Sequence, residues 1–161
     1  MKTLLFLCVL LFFISCSNGK SESSSSEKNS QEITIDKNEF FKIVNDHRRS
    51  LGLKEFIYSN ILQEIALSHS EDMADHKVSF GHDGFSSRCS EARSQLGGHA
   101  CAENVAKGQK TSKAVFASWL KSSGHKRNLE SSKYTMIGIG RSLDQMKVSY
   151  WTLIFLQNSN I

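Results

Sequence analysis

The spacing of apolar residues predicts two consecutive helices in the first half of the chain. One is expected to begin at a capping box formed by Asp36 and Glu39 and to run to Gly52. Another is expected to begin after Ser59, because its apolar positions also recur at helical spacing. His69 lies on that apolar face, which favours a hydrogen-bonded core histidine over a metal ligand. The two faces comprise Phe40, Phe41, Val44, His47 and Leu51 in the first helix, and Leu62, Ile65, Ala66, His69 and Met73 in the second.

The second half of the chain contains further helical segments and then two strands. A short helix is predicted over Ser87–Leu96. A longer one should open near Thr111 and stop at Gly124, where glycine would make the turn in a backbone conformation closed to other residues. The β-branched and aromatic runs Met136–Arg141 and Val148–Leu156 predict two strands. Helices combined with a small sheet indicate an α+β fold.

The N-terminal segment predicts export. Lys2 precedes an apolar run from Leu4 to Ile14, which is too short to span a bilayer but suits the core of a signal peptide. This run ends in Phe13-Ile14-Ser15-Cys16, which resembles a bacterial lipobox. The resemblance implies removal of residues 1–15 and acylation of Cys16. Ordinary secretion with cleavage at the same point is the alternative.

Composition predicts a tether followed by one domain. Residues 17–32 carry no apolar side chain, so they cannot offset the entropy of ordering. We expect a disordered tether over residues 16–34, with a reach of roughly 20 Å, and a single folded domain over residues 35–161. The 161-residue chain is 39% hydrophobic, which suits one compact core. Its net charge of +4 comes from scattered basic residues, so no nucleic-acid partner is expected.

The cysteines divide according to their position in the chain. Cys8 would leave with the signal peptide and Cys16 is the predicted lipid site, which leaves Cys89 and Cys101 as a pair. An exported chain meets an oxidising compartment, so we predict a disulfide, worth about 3 kcal/mol in the chain-entropy model. A metal site made by the two thiols with His99 is the other interpretation. Neither a Cys-x-x-Cys motif nor a zinc-finger spacing supports it.

Several short sequence blocks occur in a definite order. They are Val44–Arg48, Ala66–Ala74, Phe80–Gly84, Glu103–Gly108, Trp119 with Ser123–Asn128, Tyr134–Gly140 and Tyr150–Thr152. Together they resemble the CAP superfamily, the domain of cysteine-rich secretory, antigen 5 and pathogenesis-related-1 proteins, in its short bacterial form. The resemblance extends from about Asp36 to Phe155. It implies a single-domain α-β-α sandwich with a small central sheet that is mainly antiparallel.

The same resemblance implies a site. His82, Glu103 and His125 correspond to family residues that line one cavity, so we expect them to share a cleft. Two imidazoles and a carboxylate would supply three metal ligands and leave an open position, as in catalytic zinc sites. Zinc or another divalent cation is therefore the candidate cofactor, and a purely hydrogen-bonded cavity without a cofactor is the alternative. Animal relatives add a second Glu, but no acidic residue lies between Trp119 and His125. Asn104 and Asn128 are expected to fasten loops by bonding nearby backbone rather than to contact a ligand.

These observations predict a lipid-anchored, outward-facing lipoprotein of the bacterial cell envelope, in the outer membrane or at the cell surface. Its expected role is that of a binding module. Its expected partners are the membrane, through the N-terminal lipid, and a surface or host ligand, with lipid as one candidate class. A metal-dependent hydrolase of peptides or cell-wall material is one alternative, although a Gly-x-Ser-x-Gly nucleophile motif is absent from the sequence. Lipid or sterol capture is the other, and no catalytic residue is assigned.

Overall fold

The computed structural model describes residues 38–158. The predictions for the signal peptide (1–15), for acylated Cys16 and its tether (16–34), and for the cap at Asp36 therefore lie outside the described residues. The first described element is a helix, α1 (38–50), which lies within the first predicted helix. No helix within this part is long and apolar enough to cross a membrane.

After α1 the chain alternates between helices and the strands of one sheet. These elements are β1 (Ile57–Tyr58), α2 (Asn60–Ala74), α3 (Phe85–Leu96), β2 (Ala100–Lys107), α4 (Ser112–Lys121), α5 (Ser123–Glu130), β3 (Met136–Leu143) and β4 (Ser149–Gln157). The strands lie in the order β1-β3-β4-β2. β1 pairs with β3 in parallel, and the β3–β4 and β4–β2 pairs are antiparallel. The predicted α+β class and the mainly antiparallel sheet are both confirmed.

Helices cover both faces of this sheet. β4 lies between two other strands, and eight of its nine residues are buried. Its neighbouring residues Ile154 and Phe155 point to opposite faces, as the pleat of a strand requires. One core contains Phe40 and Val44 of α1, Val115, Phe116 and Trp119 of α4, Leu129 of α5 and Phe155. A second, on the opposite face, contains Leu62, Ile65 and Ala66 of α2, Ala92 of α3 and Ile154. The predicted α-β-α sandwich is confirmed.

The helix α2 lies directly against β3 because two glycines leave no side chain between them. A Cβ atom on Gly138 would collide with the α2 backbone at Gln63, and one on Gly140 would collide with it at Leu67. The isoleucines that flank Gly138 are buried in the core on the opposite face. β3 therefore presents a flat surface to α2 and an apolar surface to α1 and α4.

The region around Gly124 differs from the prediction. α4 ends at Lys121, and the extended backbone of Ser122 separates it from α5. Gly124 does not stop a helix, since it lies inside α5 and is not among the described glycines with positive φ. The apolar pattern missed α5 because Leu129 is the only buried residue of that helix. Strands β1 and β2 were also absent from the prediction.

Candidate functional site

Glu103 is a buried carboxylate on β2, the strand at one end of the described sheet. Its side chain is only 1% exposed. Arg88 Nε donates to Glu103 Oε2 at 2.8 Å, and Arg88 Nη2 donates to Oε1 at 2.9 Å. Oε1 also lies 2.9 Å from His82 Nδ1. Burying a carboxylate is costly unless it is paired and hydrogen-bonded, and these three contacts meet that requirement.

The first turn of α3 places Arg88 for this contact. Arg88 Nη1 donates to the carbonyl oxygen of Asp83 at 2.8 Å, so both ends of the guanidinium are fixed. Gly84 precedes the helix with a left-handed φ of 77°. A Cβ atom there would lie 3.2 Å from Arg88 Nη1. Glycine at this position therefore both allows the turn and leaves room for the guanidinium.

His82 is the exposed member of the site, with 52% of its side chain accessible. An ionised carboxylate can only accept hydrogen bonds, so Nδ1 carries the proton in the contact with Glu103. In the neutral imidazole, Nε2 is then left as an acceptor. The preceding loop is fastened by His69, whose Nε2 lies 2.9 Å from the carbonyl oxygen of Gly81. His69 is 3% exposed, which confirms its interpretation as a hydrogen-bonded core histidine.

His125 lies on α5, which is bound to β2 at Asn104, the residue after Glu103. Asn104 Nδ2 donates to the backbone carbonyl of His125 at 3.1 Å, and Asn128 Nδ2 donates to Asn104 Oδ1 at 2.9 Å. Asn104 therefore bonds to nearby backbone, as predicted, but the segment that it fastens is helix α5 and not a loop. Burial, and next the proximity of His82, lower the pKa of the half-buried His125 imidazole. The structure thus brings His82 and Glu103 into contact and places His125 within electrostatic reach.

The position of α5 depends on contacts from α1. Arg48 Nη1 donates to the carbonyl oxygens of Leu129 and Ser131 at 2.8 and 3.0 Å. His47 Nε2 lies 3.0 Å from Glu130 Oε1. The last carbonyls of a helix lack partners within it and carry its negative dipole end, so a cation there satisfies both needs. The sequence block around Arg48 therefore supports the site indirectly, through α5.

Cys89 and Cys101 form the predicted disulfide, with Cα atoms 5.8 Å apart. This pairing also removes the alternative of a thiol metal site with His99. Cys89 follows Arg88 directly, and Cys101 precedes Glu103 by two residues, so the bridge holds α3 beside β2 at the ion pair. Sequence reasoning did not identify Arg88. The cysteine pairing was the available signal, because it brings Arg88 next to a carboxylate that needs a partner.

The arrangement does not fit the predicted metal site. Both oxygens of Glu103 are engaged by a guanidinium, which places a positive charge where a cation would bind. Within residues 38–158, no group of three or more His, Cys, Asp or Glu side chains is positioned to hold a metal ion. Zinc binding by His82, Glu103 and His125 therefore stays a prediction, and a cation at Glu103 would compete with the guanidinium of Arg88.

The folded part of the chain matches a known protein family. A model of the cysteine-rich secretory protein family, CAP, matches residues 41–155. The chain belongs to the CAP family. The matched region includes Arg88 together with the three predicted cleft residues, so the whole described site lies inside the CAP domain.

Two Bacillus subtilis proteins are similar to this CAP domain in sequence. YkwD is 33% identical over 102 residues, which are 62% of this chain and 39% of YkwD. The membrane protein YlbC is 29% identical over 126 residues, which are 75% of this chain and 36% of YlbC. The chain spans less than half the length of either relative, so the similarity covers one part of two longer proteins.

Solved structures share the CAP fold. An extracellular protein of Bacillus anthracis that contains an SCP domain has a TM-score of 0.71 and 25% identity, covering 86% of this chain and 45% of that one. A cysteine-rich secretory protein of Staphylococcus aureus has a TM-score of 0.66 and 24% identity, covering 80% and 40%. An outer surface protein of Borrelia burgdorferi has a TM-score of 0.67 and 17% identity, covering 76% and 92%. At these lower identities, the last two similarities concern the fold.

Proposed function

We propose that this CAP domain is an outward-facing binding module of the bacterial cell envelope. Acylated Cys16 would hold it on a membrane, and residues 16–34 would serve as its tether. The N-terminal sequence supports this arrangement, and so does the similarity to a Bacillus anthracis protein described as extracellular. Stable anchoring requires more than one acyl chain, which modification of a lipobox cysteine would provide.

One observation carries the choice of a binding role. Both oxygens of Glu103 are engaged by Arg88 and one also by His82, so the carboxylate shapes the cleft and is not free to react. The groups left for a ligand are the exposed imidazole of His82 and the half-buried imidazole of His125. Imidazoles can donate or accept hydrogen bonds, which suits recognition of a polar group. A surface or host ligand, with lipid as a candidate class, would bind there.

A hydrolase would need these residues to perform several chemical steps in addition to binding a ligand. Metal-assisted hydrolysis needs a bound water, a group that takes its proton and a donor for the developing oxyanion. Glu103 would have to leave Arg88 before it could act as ligand or base. The geometry therefore supports recognition better than turnover, and the reaction is not the function we propose.

Activity assays separate the two functions. Wild-type protein should show no turnover above buffer on peptide, ester and peptidoglycan panels supplied with zinc, calcium or magnesium. His125→Ala should leave that background unchanged. Reproducible turnover that disappears in folded His125→Ala protein would establish the hydrolase instead.

The anchor and lipid capture need separate measurements. Mass spectrometry of the N-terminal peptide from native membranes should find acyl mass on Cys16, and a free N-terminus at that residue would contradict the anchor. Cys16→Ser removes the anchor without touching the cleft. Flotation of that variant with vesicles, compared with the additional His125→Ala change, would reveal lipid binding by the cleft itself.

A further inference from the structure

The predicted cleft already contains a positively charged side chain, that of Arg88. The guanidinium of Arg88 forms a two-point pair with the Glu103 carboxylate, through bonds of 2.8 and 2.9 Å. The Arg88 side chain is 12% exposed and that of Glu103 is 1% exposed, so water screens the pair weakly. A bidentate guanidinium–carboxylate pair fixes geometry as well as charge. Arg88 therefore occupies the carboxylate from which a third metal ligand would come.

We propose that Arg88 is the specificity-determining residue of this cleft, because it withholds Glu103 from divalent cations. A cation at Glu103 would compete with the guanidinium for the carboxylate oxygens, and a displaced guanidinium would remain largely buried without its partner. The two positive charges would also repel each other at short range. The wild-type cleft therefore selects a ligand through the imidazoles of His82 and His125. This inference concerns the cleft of the proposed function but does not require its ligand to be known.

Three features of the structure keep Arg88 in this position: a hydrogen bond, the space beside a glycine, and a neighbouring disulfide. Nη1 is held by the carbonyl oxygen of Asp83 at 2.8 Å. Gly84 leaves the space that the guanidinium fills. The disulfide at the next residue, Cys89, fixes this turn of α3 to β2. Because the helix, the loop and the strand are all tied at this point, a swing of Arg88 away from Glu103 would break several contacts at once.

Zinc titration of oxidised protein by calorimetry at neutral pH tests the proposal. Arg88→Met keeps much of the side-chain volume but removes the charge, so it should bind zinc at least tenfold more tightly than wild type. Adding Glu103→Gln to that variant should return the affinity to the wild-type level. Zinc should also raise the melting temperature of Arg88→Met and leave that of wild type and the double variant nearly unchanged. Arg93→Met, an exposed residue on the same helix, is the matched control and should behave as wild type.

Each possible result either supports or overturns the role proposed for Arg88. Arg88→Met binding zinc no more tightly than wild type would overturn the proposal, as would a gain that survives Glu103→Gln or appears equally in Arg93→Met. If Arg88→Met does not fold without metal, zinc-dependent folding followed by circular dichroism supports the proposal, and failure to fold with zinc leaves Arg88→Lys as the deciding variant. Its ammonium cannot form the two-point pair, so a smaller gain than tenfold supports the role and no gain refutes it. Turnover by wild type would bear on the proposed function alone.

Discussion

Arg48 is a buried cation whose guanidinium donates hydrogen bonds to backbone carbonyl oxygens. It is 1% exposed, and its Nε donates to the carbonyl oxygen of Lys54 at 2.7 Å, in addition to the contacts at the end of α5. The guanidinium lies 3.7 Å from the centre of the Phe56 ring. Burial lowers the pKa of Arg48. One side chain thus joins α1, the segment before β1 and the helix that carries His125.

Replacing Arg48 with Met should lower the free energy of unfolding by about 3 kcal/mol, because buried carbonyl groups lose their donor while the apolar stem is kept. Urea unfolding measures the change. Arg49→Met is the matched control, since Arg49 and its partners Asp46 and Glu55 are exposed and such pairs contribute little. Equal losses in the two variants would contradict the role assigned to Arg48.

The pKa of His125 provides a second test at this scale. NMR titration should place it below the ordinary value of 6.5. His82→Gln should raise it only part of the way, because burial is the larger cause. A lowered histidine pKa means that the unfolded state takes up protons first, so this group costs stability as pH falls through about 6.5. His125→Gln should therefore lose less stability than wild type between pH 7.5 and 5.5, and an equal loss would count against the assignment.

At the scale of elements, the spacing of apolar residues predicted the helices and strands that contribute most side chains to the core. The apolar face of α2 and the strands β3 and β4 were predicted correctly, since their side chains are buried. For α1 the prediction was right at Phe40 and Val44 but wrong at Leu51, which follows the helix and is 49% exposed. β2 was missed because Ala100–Lys107 is rich in residues that disfavour strands, and only its pairing with β4 makes it one. Arg88 was missed for a related reason. Its role comes from a partner on another element, which no local spacing records.

The glycines of β3 and α5 should respond in opposite ways to the same change. Gly138→Ala should destabilise the protein by about 1–3 kcal/mol or more, because the new methyl group meets the α2 backbone, which cannot move aside as a flexible side chain would. Gly124→Ala adds a methyl group with nothing within 4 Å. It should be neutral or stabilise by up to about 0.5 kcal/mol, since glycine is a poor helix former. Thermal or urea unfolding distinguishes them, and a large loss in Gly124→Ala would argue for the turn that the sequence suggested.

At the scale of the whole molecule, the two helical layers meet at β2, the strand that carries Glu103. The loop between α2 and α3 supplies His82, α3 supplies Arg88, and α5 on the other layer is bound to the residue after Glu103, Asn104. The cores of the layers are separate clusters, each with its own apolar contacts. The sandwich should therefore survive changes to the cleft that alter what it binds.

Removing the disulfide tests this independence. Replacing Cys89 and Cys101 with Ala should lower the free energy of unfolding by about 3 kcal/mol, because the bridge closes a short loop. Far-UV circular dichroism of the double variant should still match wild type, and wild type reduced under mild conditions should give the same urea midpoint as the variant. A double variant without secondary structure at low temperature would mean that the sandwich depends on the bridge.

The position of that bridge sets an order of events for an exported chain. Cytosolic reductants keep the two thiols reduced. Export across the membrane brings the thiols to a compartment where they oxidise to a disulfide. Because Cys89 adjoins Arg88 and Cys101 lies two residues before Glu103, we expect oxidation to favour the closing of their ion pair. A newly made chain would travel with this corner of the cleft loosely held and would finish it at its destination. The corner that holds Arg88 and Glu103 together would then reach its final form only in the compartment to which the chain is exported.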